Sequence, residues 1–234
     1  MTITDFHSHI LPALDHGCKD THESVSQLAL MKSYGTDIAV ATSHFYPHIH
    51  QVDTFIKKTD EAIKALRHER ITHAPRLAIG AEVLLCENLN AMNGLPNLCI
   101  RGTRVLLLEL PLEKLRDAYY DTVEALMSDG YTVVLAHIDR YLKQFSEGID
   151  ELLDMGALAQ VNAYSLHNHS VLKIIKRYLS ENDNICALGS DLHGADEKLC
   201  RLFYKSKKIL GDDFERIMSK TSKLLYEAEL IDLA

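Results

Sequence analysis

The sequence predicts an α/β protein of parallel strands wrapped by helices, closed into a barrel. Three observations predict it. Short runs rich in Val, Ile and Leu alternate with longer segments of helical period, the pattern of parallel strands buried on both faces. There are seven such runs, a barrel-sized number, and 234 residues suit one α/β barrel without forcing a second domain, so a single domain over 1–234 is expected. Finally, the histidines and carboxylates with metal-ligand character fall at the carboxyl ends of those runs, on the one face where such barrels build their sites.

The expected strands are 3–6, 37–42, 76–83, 104–110, 132–137, 158–163 and 184–190. Helices are expected over 21–33, 52–67, 119–128, 149–155 and 171–180, with a carboxy-terminal helical stretch from about 196 to 230. Thr21, Ser24 and Asp53 have the character of helix-opening residues. Residues 85–102 lack either period and read as a long loop with one helical turn, expected to shape a wall of the substrate entrance because they follow a strand end. No repeat, low-complexity tract or Pro/Gly-rich linker interrupts the chain.

With 25 Lys and Arg against 33 Asp and Glu, the formal charge of −8 argues against a nucleic-acid partner or an anionic membrane surface. No apolar run approaches a transmembrane span and no export signal opens the chain, so a soluble, cytoplasmic protein without membrane insertion is expected. Five scattered cysteines, with no C-x-x-C pair, read as reduced thiols.

The first motif is DFHSHILPALDHG, from Asp5 to Gly17, where His7 and His9 follow strand one. His44 follows strand two, Glu82 lies near the end of strand three, Glu109 closes strand four, His137 closes strand five, and Asp191 and His193 follow strand seven. Neutral imidazoles with carboxylates and no thiolate suit manganese, iron, zinc or cobalt. So many donors exceed the needs of one ion and imply two or three, a set-up commonly used for phosphate-ester hydrolysis. His22, His48, His50, His68, His73, His167 and His169 lack this placement, although His48 or His50 could rim the site. HERITH, 68–73, spaces its histidines five apart, off a common helix face. No cysteine has an arginine six positions on, and neither a P-loop nor G-x-G-x-x-G occurs. HGCKD around Cys18 reads as a turn.

DFHSHILPALD, ATSH, GAE, LLLELP, AHIDRY, QVNAYS and GSDLH resemble, in order and spacing, the metal-dependent polymerase-and-histidinol-phosphatase (PHP) superfamily. Within it they are most similar to bacterial protein-tyrosine phosphatases of capsular and exopolysaccharide clusters. That resemblance implies a distorted seven-stranded (β/α)7 TIM-like barrel, the PHP fold, with a trinuclear and typically manganese-dependent site. It implies hydrolysis of phosphotyrosine by a metal-activated hydroxide, with the tyrosine-rich tail of a polysaccharide-export tyrosine kinase as the substrate protein.

Carried over residue by residue, the resemblance implies one metal held by His7, His9, Glu82 and Asp191, and a second held by Glu82, Glu109 and His137. A third would use His44, His193 and an amino-terminal acid. Here the chain departs: the family usually reads D-D-G where this sequence has Asp15, His16 and Gly17. His16 is therefore expected as the ligand, with Asp15 as its outer partner or alternative. Arg140, three residues after His137, resembles the family arginine that clamps the phosphoryl group, and Asp191 is a candidate for protonating the leaving group. Three rival functions follow from the same residues: a small-molecule phosphatase of the histidinol-phosphatase type, a nuclease, and a non-catalytic metal-stabilised phosphopeptide-binding module.

Overall fold

The computed structural model describes residues 1–142, 146–181 and 183–234. Seven parallel strands follow one another around the sheet in chain order: β1 Thr4–Ser8, β2 Ile38–Phe45, β3 Arg76–Leu84, β4 Val105–Glu109, β5 Thr132–Leu135, β6 Leu158–Asn162 and β7 Ile185–Gly189. The helices are α1 Thr21–Ser33, α2 Val52–Arg67, α3 Asp117–Ser128, α4 Ser146–Asp154, α5 His169–Glu181, α6 Glu197–Leu210 and α7 Asp212–Leu224. The ring is nearly closed. Among the described residues, backbone hydrogen bonds join the β1 and β7 sides only at the carboxyl ends, where Ser8 bridges Leu192 and the His9 and Asp191 amides donate to Leu192 and His7 carbonyls. Lower down, Asp5 Oδ1 spans the seam by accepting from Ser190 N–H at 2.8 Å.

α7 fills the rest of that seam. Ile217, Met218 and Thr221 are fully buried there, and Thr221 Oγ1 donates to the Cys186 carbonyl. Instead of one helical stretch to residue 230, α6 and α7 are separated at Gly211, whose φ of +58° halts α6. The chain then ends in a short strand, β8 Leu230–Ile231, paired antiparallel with β3. The helices open where expected, with Thr21 first in α1 and Asp53 in the first turn of α2, and the cap positions lie one residue before each helix. Asp20, not Thr21, accepts from Glu23 N–H at the start of α1, and Gln51 precedes α2 without a side-chain cap.

Residues 85–102 form two short 3-10 turns, Leu89–Ala91 and Leu95–Leu98, rather than one. Leu89, Leu95, Leu98, Cys99 and Ile100 are buried, so from Leu89 onward this segment stands in for the missing helix between β3 and β4. Its apolar side chains serve the core, where their burial offsets the absence of an amphipathic helix.

Strand periodicity explains how the site arises. Residues two apart share a face, so β2 carries Val40, Thr42 and His44 on one face, β3 carries Ala78, Gly80 and Glu82, and β4 carries Val105, Leu107 and Glu109. Val40, Ala78, Val105 and Leu107 join Phe6, Val134 and Ala187 in one buried cluster. The same inward face is thus apolar along the barrel and ligand-like at its carboxyl end. Among the described residues, no helix is long and apolar enough to cross a membrane.

Candidate metal centre

Every sequence-predicted ligand lies at that carboxyl end. His7 Nε2 and His9 Nε2 face each other at 3.3 Å. Glu82 Oε2 lies 3.2 Å from the first and 3.5 Å from the second, and Asp191 Oδ1 lies 3.7 and 3.4 Å away. The far nitrogen of each ring is already committed. His7 Nδ1 meets Gln160 Oε1 at 3.1 Å, and His9 Nδ1 meets Asp15 Oδ2 at 2.7 Å. In their neutral forms both rings carry the proton on Nδ1, so two nitrogen lone pairs and two carboxylate oxygens converge on one point. Such a meeting of acceptors is satisfied either by protons taken up on the imidazoles or by a bound cation, and a cation serves all four atoms at once. Ligand bonds of about 2.1 Å in a tetrahedral array would set donors about 3.4 Å apart, which the observed spacings match.

Glu82 links this group to a second one. His137 Nε2 lies 2.7 Å from Glu82 Oε1 and 3.9 Å from Glu109 Oε1, while His44 Nδ1 lies 2.9 Å from Glu82 Oε2 and 3.7 Å from Glu109 Oε2. Donors of His9, His44 and His193 form a third cluster, all within 4.8 Å of one another. The His16 ring lies over His44 at 4.7 Å and His193 at 4.6 Å, nearly parallel to both. His16 is exposed, whereas Asp15 is spent: Oδ1 accepts from Gly17 N–H, and Oδ2 accepts from His9 and from His44 N–H. His137 Nδ1 and His193 Nε2 are buried without a hydrogen-bond partner. Orphaned atoms of this kind, in an imidazole and carboxylate set without thiolate, fit divalent cations.

The electrostatics follow from this crowding. Burial opposes ionisation of His7, but the Glu82 and Asp191 charges and hydrogen bonds outweigh it and push its pKa to about 10. Burial likewise raises Glu82 and Asp191, yet neighbouring imidazoles, and Arg140 at Asp191, hold both well below the usual carboxylate range. Glu109 is pushed up by burial and by Glu82 beside it. Burial and His9 press His193 down to about 4, keeping it neutral, while its Nδ1 donates to the Asp191 carbonyl at 3.0 Å.

Arg140 closes one side. It sits on the 3-10 turn Ile138–Arg140 directly after His137, donates through Nη2 to Asp191 Oδ2, and places Nη1 3.4 Å from His137 Nε2. His137 and Asp191 both adopt positive φ, +31° and +56°, conformations that β-branched or bulky residues hold only at a cost. Tyr141 is buried, its ring 5.8 Å from that of His137, with its hydroxyl donating to the Leu110 carbonyl. At the rim, Tyr46 stacks on His44 at 5.2 Å and on His50 at 5.8 Å, and lies 6.1 Å from the exposed His48.

Ligand motifs alone did not single out Gln160, Asn162 or Asp139. Gln160 Oε1 accepts from His137 N–H at 2.7 Å, Gln160 Nε2 donates to Asn162 Oδ1, and Asn162 Nδ2 donates to Asp191 Oδ2. Asp139 accepts from Asn162 N–H and from Ser165 Oγ. The available signal was Q-x-N at period two near the end of a strand otherwise free of ligands.

Residues 3–225 match the family model described as capsular polysaccharide synthesis, CpsB/CapC. Among curated relatives, the tyrosine-protein phosphatase CpsB of Streptococcus pneumoniae is 27% identical over 208 residues, covering 83% of this chain and 84% of the relative. The tyrosine-protein phosphatase YwqE of Bacillus subtilis is 24% identical over 244 residues, covering 97% and 92%. A solved structure from work on YwqE of Bacillus subtilis and CpsB of Streptococcus pneumoniae, described there as metal-dependent tyrosine phosphatases, superposes with a TM-score of 0.77 at 21% identity, over 98% of this chain and 96% of that one. The barrel, its order of strands and this match over nearly the whole length together place the chain in the CpsB/CapC family of capsular polysaccharide synthesis.

Proposed function

We propose that this chain is a metal-dependent protein-tyrosine phosphatase, releasing phosphate from phosphotyrosine in proteins. The observation that carries the reading is the convergence of His7 Nε2, His9 Nε2, Glu82 Oε2 and Asp191 Oδ1, with a guanidinium at its edge. Two relatives similar over most of the chain carry the name tyrosine-protein phosphatase. His7, His9, Glu82 and Asp191 would hold one ion, Glu82, Glu109 and His137 a second, and His44, His193 and His16 a third. Asp15, with both oxygens engaged, orients His9 and the His44 backbone instead of ligating. Divalent cations in such a site lower the pKa of a water nucleophile and neutralise phosphoryl oxygens.

The chain's own groups supply the rest. Arg140 presents a planar fork to the phosphoryl oxygens, a geometry a lysine cannot reproduce. Asn162 and Arg140 hold Asp191 as a carboxylate, so Asp191 acts as acceptor and ligand, and the leaving phenolate draws its proton from elsewhere. Manganese is the first cation to test, with iron, zinc and cobalt beside it. The proposed substrate protein is a tyrosine kinase of polysaccharide export, met in the cytoplasm, and one domain over 1–234 performs the reaction.

The test is phosphate release from a phosphotyrosyl peptide by chelator-stripped protein with manganese restored, beside histidinol phosphate and single-stranded DNA. Strong preference for the peptide is expected. Preference for histidinol phosphate or DNA would replace the reading, and binding of peptide without release under any cation would leave a binding module.

A further inference from the structure

We propose that Gln160 is the positioning residue of this centre, one amide that sets the proton placement of His7 and the orientation of Asp191. The proposal rests on the reading of His7 and Asp191 as ligands. The argument starts from a group with no freedom. A backbone N–H can only donate, so the atom 2.7 Å from His137 N must be the oxygen of the Gln160 amide. The same oxygen lies 3.1 Å from His7 Nδ1 and has nothing to donate, so that nitrogen carries a proton, and whenever the ring is neutral the lone pair belongs to Nε2, which faces Glu82, His9 and Asp191.

The other half of the amide continues the chain. With Oε1 fixed, Gln160 Nε2 donates to Asn162 Oδ1 at 2.9 Å, which fixes the second amide in turn. Asn162 Nδ2 therefore faces Asp191 Oδ2 at 3.0 Å and leaves Oδ1 toward the two imidazoles. One backbone N–H thus dictates the polarity of every group from His137 to Asp191. All four residues are buried, so water does not compete with the arrangement.

The surroundings are shaped to this amide. Gln160 and Asn162 share one face of β6, the strand of the seven that neither carries a ligand candidate nor is directly followed by one. On β7, a Cβ at Gly189 would come within 2.6 Å of Gln160 Nε2 and 2.6 Å of His7 Cβ. Only glycine lets the amide lie against His7. Partners that fix the tautomer of a ligand histidine typically contribute about 10- to 100-fold in metal affinity.

Two variants test the proposal, with zinc as a diamagnetic probe titrated calorimetrically into chelator-stripped full-length protein. Gln160→Met keeps the length and removes both polar ends; about 10- to 100-fold weaker zinc binding is expected, with loss of the slowly exchanging His7 Nδ1 proton from the NMR spectrum of the zinc-loaded protein. Gln160→Glu keeps oxygens for His137 N–H and His7 Nδ1, so that proton signal is retained. Zinc binding by Gln160→Met within twofold of wild type, with the signal intact, would overturn the proposal. Should the Met variant not fold, loss of the signal in Gln160→Glu overturns it and retention supports it. Wild-type protein that takes up no zinc sinks the ligand reading itself, a result distinct from wild type and variant binding alike.

Discussion

Replacing Arg140 with alanine separates phosphoryl binding from metal holding. The guanidinium is partly exposed, its side chain 38% accessible, so its field is screened at rest and acts fully only once a phosphoryl group covers it. A charge-assisted hydrogen bond to a phosphoryl oxygen contributes about 1.5–3 kcal/mol, and partial screening places the loss near 2 kcal/mol, roughly 30-fold in kcat/KM. Metal content should not change, because the donor spacings around His7 and His9 do not involve Arg140 and Asn162 still holds Asp191 Oδ2. The assay is phosphate release from a phosphotyrosyl peptide across a substrate series, with metal content measured on the same samples. Arg140→Lys, which keeps charge and loses the fork, should fall between the two. Turnover within twofold of wild type would remove Arg140 from the reaction, and loss of metal in parallel with activity would make it a structural partner of Asp191 instead.

Asp15→Ala removes the acceptor on His9 Nδ1 and should weaken cation binding by about 10- to 100-fold by titration calorimetry; unchanged affinity would show that His9 is oriented without it. His16→Asp, which restores the family's carboxylate, should raise affinity for manganese relative to zinc, since a hard oxygen donor favours the harder ion, and an unchanged ratio would place His16 outside the ion's reach. Metal uptake at pH 7 should release protons: His7, with its pKa pushed to about 10, is protonated below that value in the metal-free protein and must be neutral to donate. A pH indicator in weak buffer reads this directly, and uptake without release would contradict His7 as a ligand.

Most of the barrel was legible because parallel strands buried on both faces read as apolar runs, and the ligand candidates fall where period two delivers them. β5 illustrates the limit. Its apolar run extends to His137, but the ladder stops at Leu135 because His137 turns to a φ of +31° with its N–H on Gln160. The carboxy-terminal break was missed because Lys207, Lys208, Asp212 and Asp213 on either side of Gly211 all suit helix ends or surfaces equally. Gln160 and Asn162 stayed hidden for a different reason. QVNAYS marks the place, but amides acquire a role only through partners far away in sequence, here His7 and Asp191, and the Q-x-N pattern does not name them.

The incomplete contact between β1 and β7 gives the ions a mechanical task. Residues Asp5 and Ser190, which meet there, are 185 positions apart, and an ion gripped by His7 and His9 on one side and Asp191 on the other would knot nearly the whole polypeptide into a ring. By chain-entropy accounting a permanent link across a loop of that length restrains the unfolded chain by about 5 kcal/mol, comparable to a disulfide yet removable by a chelator. Stripping the centre would then unlatch the barrel along one edge, and amide hydrogen exchange should quicken first in β1 and β7 while β3 and β4, hydrogen-bonded on either side, stay protected.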